Sequence, residues 1–305
     1  MDVQQLLVAI NEVIKGKEVE IKKVLMAILA DGHILLEDAP GVGKTTLALA
    51  FSKAMDLRFN RIQFTPDVTA SDIVGFNYFD KGKDAFVYHE GAVMTNFLLG
   101  DEINRTSSRT QAALLEAMEE GCVTVDGVTY TLPKPFIVLA TQNPLSSAGT
   151  QPLPQAQLDR FMIKMSLGYP DFETQVALLR DRQTAQPLEQ VQPIINQVQL
   201  EEMRRTVAHI HIDEQILRYV TTLTVATREH GQITQGVSPR GALAVCKMAK
   251  AHAYLAERSY VVPEDVLAVW VDTCAHRVIT ASGVEAADVL MTILQDIPTP
   301  DEQLA

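Results

Sequence analysis

The sequence predicts an α/β protein, with a five-stranded parallel sheet in a first domain and a smaller, all-helical second domain. Three observations carry this. Short apolar runs alternate with helix-periodic stretches through the first half of the chain, the pattern of strands joined by crossover helices. A glycine-rich segment follows one such run and opens the next helical stretch, a strand–loop–helix order with a chemistry of its own. Beyond a Gln- and Pro-rich interval only helical periodicity remains, which places the two domains at 1–184 and 185–305.

Strands are expected at 34–37, 59–64, 97–100, 136–141 and 161–167, each followed by polar, Gly or Pro punctuation. Met162 and Met165 on the last of these read as core. Helices are expected at 44–55 and 109–120, the second opening on Ser108-Arg109-Thr110-Gln111 as a capping box headed by Ser108. The stretch from Val123 to Tyr130 alternates on both sides of Asp126-Gly127, the signal of a two-residue hairpin. Residues 75–79 and 85–89, joined by Asp80-Lys81-Gly82-Lys83-Asp84, form either a second hairpin or an irregular surface loop. After the interval from Thr184 to Gln199, helices are expected at 200–208, 214–230, 239–258, 263–280 and 284–295. Pro239 and Pro263 stand at first helical positions, and Ile297-Pro298-Thr299-Pro300 reads as a frayed end.

Composition sets limits. With 47% hydrophobic and 21% charged residues the chain has the mix of a globular core rather than of a disordered segment. A formal charge of -12 supplies no long-range attraction to nucleic acid or anionic membrane, and no basic stripe appears. Cys122, Cys246 and Cys274 are far apart and form no CxxC pair, which argues against a zinc site and fits a reducing compartment. The seven histidines lack metal-ligand spacing. The opening Met1-Asp2-Val3-Gln4-Gln5 lacks a signal-peptide pattern, and no apolar stretch is long enough to insert into a membrane. The expectation is a cytoplasmic protein.

The strongest chemical signal is Ala39-Pro40-Gly41-Val42-Gly43-Lys44-Thr45-Thr46, a phosphate-binding loop between a buried strand and a helix. Its glycines let backbone N–H groups close on phosphates, and the helix start adds a positive dipole end. Lys44 is the candidate partner of the β- and γ-phosphates of ATP, and the Thr45 hydroxyl a magnesium ligand. The pattern G-x-x-x-x-G-K-[ST] asks for glycine at 38, where this chain has Asp38; that position closes the strand, where a side chain can point away from the phosphates. The second signal is Phe97-Leu98-Leu99-Gly100-Asp101-Glu102, an apolar strand ending in two acids. Asp101 is the candidate magnesium holder through water, and Glu102 the general base, facing the terminal phosphate from the strand adjacent to the loop.

Asp101-Glu102-Ile103-Asn104-Arg105, Ala140-Thr141-Gln142-Asn143-Pro144, Leu153-Pro154-Gln155-Ala156-Gln157-Leu158-Asp159-Arg160-Phe161 and Gly236-Val237-Ser238-Pro239-Arg240 follow in order. With the phosphate loop they resemble the motifs of the MoxR family of AAA+ ATPases over nearly the whole chain. Asp38 and Gly100 depart from the glycine and alanine that many relatives carry. The resemblance implies magnesium-dependent ATP hydrolysis by a homo-oligomeric, hexameric ring. It also implies chaperone-like remodelling or maturation of a protein partner, often one with a von Willebrand factor A domain.

The resemblance implies roles for single residues as well. Asn143 becomes the first sensor of the γ-phosphate or attacking water, against its other reading as an Asn-Pro turn former. Arg160 becomes the arginine finger offered to a neighbouring subunit, against a surface ion pair with Asp159 or another acid; such a finger is worth about 10³–10⁵ in rate. Arg240 becomes the second sensor, and a cation in a helix's first turn opposes the dipole unless an anion partners it. Arg105 either contacts a neighbour's nucleotide or ties an interface. Val13-Ile14-Lys15-Gly16 resembles the adenine-side segment, with Ile14 and Gly16 as contacts or Ile14 as plain core. The two hairpins look like the family's helix-two insert and pre-sensor-one hairpin. Three other readings stay open: a metal-chelatase motor subunit, a DNA-directed motor, which the charge disfavours, and a nucleotide-gated scaffold with slow turnover.

Overall fold

The computed structural model describes residues 2–143, 151–181 and 186–300. The chain separates into two compact units. The first comprises Met1–Lys22, His33–Arg160 and Met165–Glu201, and the second Lys23–Gly32, Phe161–Lys164 and Glu202–Ala305. The boundary expected between 184 and 185 lies outside the described residues.

The chain begins with α1 (Asp2–Val13), α2 (Glu18–Leu29), β1 (Ile34–Glu37), α3 (Lys44–Ala54), β2 (Phe59–Gln63), α4 (Ala70–Val74), β3 (Gly75–Asp80) and β4 (Ala85–Glu90). It continues through β5 (Phe97–Asp101), α5 (Ser108–Glu120), β6 (Cys122–Val125), β7 (Val128–Thr131), β8 (Ile137–Gln142), α6 (Gln155–Leu158), β9 (Ile163–Met165), α7 (Phe172–Asp181) and α8 (Pro187–Gln190). The five expected core strands form one sheet in the order β2-β5-β8-β1-β9. Parallel pairing joins β1 to β8, β8 to β5 and β5 to β2. Ile34, Leu35, Leu36, Phe97, Leu98, Leu99 and every residue of β8 are buried. A parallel sheet covered on both faces demands such continuous apolar runs in place of alternation. Because these strands are parallel, the polar residues that end β1, β8 and β5 emerge at one edge, with Glu37 opposite Gln142.

Both hairpins form. Val125 pairs with Val128 across Asp126 and Gly127, whose φ values of 48° and 81° are those of a type I′ turn. β3 and β4 pair from Gly75↔Glu90 to Asp80↔Ala85, which settles the open alternative in favour of a hairpin. The two hairpins lean on each other. Tyr88 stacks on Tyr130 with ring centroids 3.9 Å apart, and Asn77 Nδ2 donates to Asp126 Oδ2 at 2.8 Å. Phe76, Tyr78, Phe79 and Phe86 stay exposed on the β3–β4 hairpin. Helix α5 starts one residue earlier than expected: Ser107, not Ser108, is its cap, its hydroxyl accepting from the Thr110 amide at 3.3 Å. Gln111 takes no part in a capping box because its side chain is buried beneath the preceding turn, donating to the Ile103 carbonyl at 3.1 Å.

The rest of the chain is α9 (Gln197–Ala208), α10 (Glu214–Glu229), β10 (Ile233–Gln235), α11 (Pro239–Leu255), α12 (Pro263–Cys274), β11 (Ile279–Thr280) and α13 (Ala286–Asp296). Proline opens α11 and α12 as expected. The helix expected at 263–280 ends at Cys274; a 3-10 turn at Ala275–Arg277 follows, and β11 pairs antiparallel with β10. The β-branched Val278-Ile279-Thr280 favours that extended pairing over more helix. Trp270 is fully buried among these helices, its Nε1 donating to the Leu290 carbonyl at 3.2 Å. The expected frayed end is partly seated, since Pro300 is buried.

One buried acid ties the second unit together. Asp265 is fully buried at the start of α12 and accepts from Arg258 Nη1 at 2.8 Å, Arg258 Nη2 at 2.5 Å, His252 Nδ1 at 2.6 Å and the Val262 amide at 2.8 Å. Burial pushes its pKa up, but the hydrogen bonds from His252, Arg258 and Val262 outweigh it and bring the carboxyl from 3.8 to about 2. A depressed folded-state pKa stabilises above the unfolded value, so this contribution is complete above about pH 4 and lost as pH falls towards 2. Asp265→Asn leaves Arg258 without its charged partner. It is expected to cost about 3 kcal/mol in denaturant unfolding at neutral pH, with the gap from wild type closing under acid.

Candidate active site

Residues 38–43 connect β1 to α3. Gly41 and Gly43 take φ values of 88° and 99°, a left-handed backbone that only glycine adopts cheaply. A Cβ at either would meet nothing within 4 Å, so conformation and not crowding requires glycine, and the space over both is open. Gly43 caps α3 without any side chain, and the first turn, Lys44 onward, contains no acid. Helices α5, α10 and α11 are instead capped by the side chains of Ser107, Asp213 and Ser238. The start of α3 is thus a set of amides and a dipole end suited to an external anion. Pro40 and Gly41 are exposed, while Val42, Gly43, Lys44, Thr45 and Thr46 are half-buried. Lys44 Nζ folds back over the loop and donates to the Asp38 carbonyl at 2.7 Å.

At the same edge β5 delivers Asp101 and Glu102. Asp101 Oδ1 accepts from Thr141 Oγ1 at 2.6 Å, and Asp101 Oδ2 accepts from Arg61 Nη2 at 2.8 Å. Glu102 has φ 58° and ψ 50°, a left-handed conformation that is uncommon for a residue with a side chain. Its amide donates to Thr141 Oγ1 at 2.9 Å, and its carboxylate accepts from Gln63 Nε2 at 3.1 Å and Arg105 Nη1 at 2.9 Å. The strand order corrects one expectation. β5 is not adjacent to β1, because β8 lies between them. Two strand spacings, about 10 Å, therefore separate the loop strand from the acid strand. Asn143 follows β8 in that gap, half-buried, its carbonyl accepting from Asn104 Nδ2 at 3.4 Å.

The residues fit a nucleotide with magnesium. The Thr45 hydroxyl and the Asp101 carboxylate are hard oxygen donors of the kind magnesium takes, with phosphate oxygens and water filling the remaining positions. Among the described residues no group of three or more His, Cys, Asp or Glu could hold a metal ion by itself.

Comparisons with known proteins match both parts of the chain to known domains. Residues 33–163 match the family model of the ATPase family associated with various cellular activities (AAA), and residues 225–297 match the AAA lid domain. The chain is 42% identical to the uncharacterized protein YeaC of Bacillus subtilis, covering 97% of this chain and 94% of that protein. It is 34% identical to the chaperone MoxR1 of Mycobacterium tuberculosis, covering 95% and 80%. This chain belongs to the MoxR family of AAA+ ATPases. A crystal structure assigned as an ATPase from Cytophaga hutchinsonii superposes with a TM-score of 0.91 at 38% identity, covering 97% of this chain and 94% of that one.

Both departures from the MoxR pattern have structural reasons. The Asp38 side chain is buried and turned away from the loop, accepting from Ser166 Oγ at 2.5 Å, the Leu167 amide at 2.7 Å and the Gly168 amide at 3.0 Å. It anchors the root of the phosphate loop to the segment after β9. At Gly100 a Cβ would lie 3.2 Å from Phe64 and 3.4 Å from Ile103, so the absent methyl makes room for Phe64.

Arg160 donates from Nε to Glu119 Oε2 at 2.7 Å and from Nη1 to the Ala156 carbonyl at 3.1 Å, so within one chain it pairs with an acid on α5. Arg240 lies exposed in the first turn of α11 in the second unit. Ile14 is buried, and Gly16 lies so close to Thr174 that a Cβ there would meet Oγ1 at 2.8 Å. Lys15 pairs with Asp181 beside a cavity of about 480 Å³ lined in part by Val13, Lys15 and Ile194. Pro144, which follows Asn143, lies outside the described residues. Sequence reasoning missed Arg61, Gln63 and Thr141, the partners of the two acids. The available signal was the polar Asn60-Arg61 and Gln63 within an expected strand of the sheet.

Asp38→Ala removes three hydrogen bonds to a buried carboxylate without touching Lys44. A loss of about 2 kcal/mol in thermal unfolding is expected, together with weaker nucleotide binding as the loop root loosens.

Proposed function

We propose that the chain hydrolyses ATP with magnesium as a hexameric ring and uses the cycle to remodel or mature a protein partner. The observation that carries this is the meeting, at one sheet edge, of a side-chain-free helix start, Lys44 and the Asp101–Glu102 pair. Amides from Gly41 to Thr46 would cradle the phosphates, with Lys44 leaving the Asp38 carbonyl to neutralise the β- and γ-oxygens. Thr45 and Asp101 would hold magnesium, which supplies charge neutralisation at those oxygens. Glu102, once released from Gln63 and Arg105, would orient and deprotonate the attacking water. Asn143, just past the end of the intervening strand, would hydrogen-bond that water or the γ-phosphate. Catalysis of this kind is positioning and electrostatics, with no covalent intermediate on the protein.

Ile14 and Gly16 would border the adenine, and Arg240 would be the second sensor of the nucleotide; the domains we propose are a core, residues 1–184, and a lid, residues 185–305. Arg160 would exchange Glu119 for a neighbour's γ-phosphate, so that a lone subunit has an incomplete site. The exposed aromatics of the β3–β4 hairpin, braced by β6–β7, would work on the partner. The name of the M. tuberculosis relative, a chaperone, supports that output. By family resemblance such a partner is often a protein with a von Willebrand factor A domain. Among the described residues no helix is long and apolar enough to cross a membrane.

Glu102→Gln is expected to keep ATP binding and lower turnover at least about 10²-fold; undiminished phosphate release would refute the assigned base. Arg160→Ala is expected to assemble normally yet lose about 10³-fold in rate. Mixing it with Lys44→Ala should recover part of the activity, because some mixed interfaces then hold one complete site. Absence of recovery, or an active Arg160→Ala protein, counts against shared sites.

A further inference from the structure

The reading of Asp101 as a magnesium ligand, on which this inference rests, leaves one cation without a task. Arg61 stands on β2, the edge strand of the sheet, beside β5. In register it lies opposite Leu99, two residues short of the acid, while Gln63 lies opposite Asp101. Its guanidinium therefore reaches forward along the strand. Nη2 meets Asp101 Oδ2 at 2.8 Å and Gln63 Oε1 at 3.1 Å. Gln63 is oriented by that contact, because its other terminus, Nε2, donates to Glu102 Oε2 at 3.1 Å. Thr141 occupies the opposite oxygen of Asp101 at 2.6 Å. The acid is thus gripped from both sides, on one by a hydroxyl fixed in the buried strand β8 and on the other by an arginine.

The two grips differ in kind. Thr141 is fully buried and cannot leave without breaking the sheet. Arg61 has 46% of its side chain exposed, against 14% for Asp101. A long, solvated side chain on an edge strand can swing away at small cost, and its half-exposed ion pair is weak. A cation of charge two placed beside the same carboxylate repels a guanidinium 2.8 Å from it. We propose that Arg61 is an exchangeable counter-cation for Asp101, holding the carboxylate until magnesium arrives and competing with it for that oxygen. Arg61 is a positioning residue in this account; it tunes the magnesium requirement of nucleotide binding and touches neither phosphate nor water.

The test is the affinity of the full chain for a fluorescent ADP analogue, titrated with free magnesium and measured again in chelator. Arg61→Ala is expected to lower the half-saturating magnesium concentration about two- to five-fold, with the affinity in chelator unchanged. Arg61→Lys, which keeps a cation on the strand, should return the midpoint towards wild type. Arg58→Ala removes a nearby cation whose partner is Glu90 at 3.5 Å, and should leave the midpoint alone. An Arg61→Ala midpoint at the wild-type value, an equal shift in Arg58→Ala, or weakened binding in chelator would each overturn the proposal. Asp101→Asn separates the two levels. If it leaves the magnesium dependence intact, the ligand reading itself falls; if it blunts that dependence while Arg61→Ala does nothing, only the role of Arg61 falls.

Discussion

The structure depends on the glycine-capped helix start of α3. The first turn of an α-helix leaves amides without partners and carries roughly half a positive charge. Elsewhere in this chain Ser107, Asp213 and Ser238 meet that need with their own side chains. At α3 the chain supplies glycine instead, in a backbone that holds open space over the loop. An anion suits such a start, and the surroundings of α3 are best understood as the means of receiving one.

Holding such a loop steady without filling it requires anchors that face away from it. Asp38 does this. An acid at the root of a phosphate loop would repel the ligand if it pointed inward, but its carboxylate is consumed by Ser166, Leu167 and Gly168 on the far side. Asp101 and Glu102, which we propose face the ligand, are by contrast adjacent carboxylates that repel each other. Arg61 and Arg105 offset that charge, and Thr141 bridges the Asp101 carboxylate to the Glu102 amide. That bridge also secures the left-handed backbone at Glu102, an arrangement costing about 1–3 kcal/mol that persists only where neighbours impose it.

Much of this was legible in the sequence because it rests on local rules. Apolar runs marked the buried parallel strands, Asp126-Gly127 marked the tight hairpin, and Gly41 and Gly43 marked the loop before α3. What stayed hidden depends on distant neighbours. Parallel crossovers allow many strand orders, so nothing local placed β8 between β1 and β5. Arg61 and Gln63 became site residues only once β2 lay beside β5 in that register. Two adjacent serines made the cap of α5 ambiguous, and burial of Gln111 decided for Ser107. The end of α12 at Cys274 reflects a strand partner, β10, that lies some forty-five residues upstream of β11.

The central claim is that a nucleoside triphosphate lies with its phosphates on the amides at the start of α3 and its last phosphorus turned towards Glu102. The crystallographic position of a non-hydrolysable ATP analogue bound with magnesium tests it most directly. The account predicts β- and γ-phosphates within hydrogen-bonding distance of the amides of residues 41–46, with Lys44 on their oxygens and Glu102 facing the terminal phosphorus across the end of β8. Phosphates bound away from that helix start, or a γ-phosphate with Glu102 directed elsewhere, would contradict it.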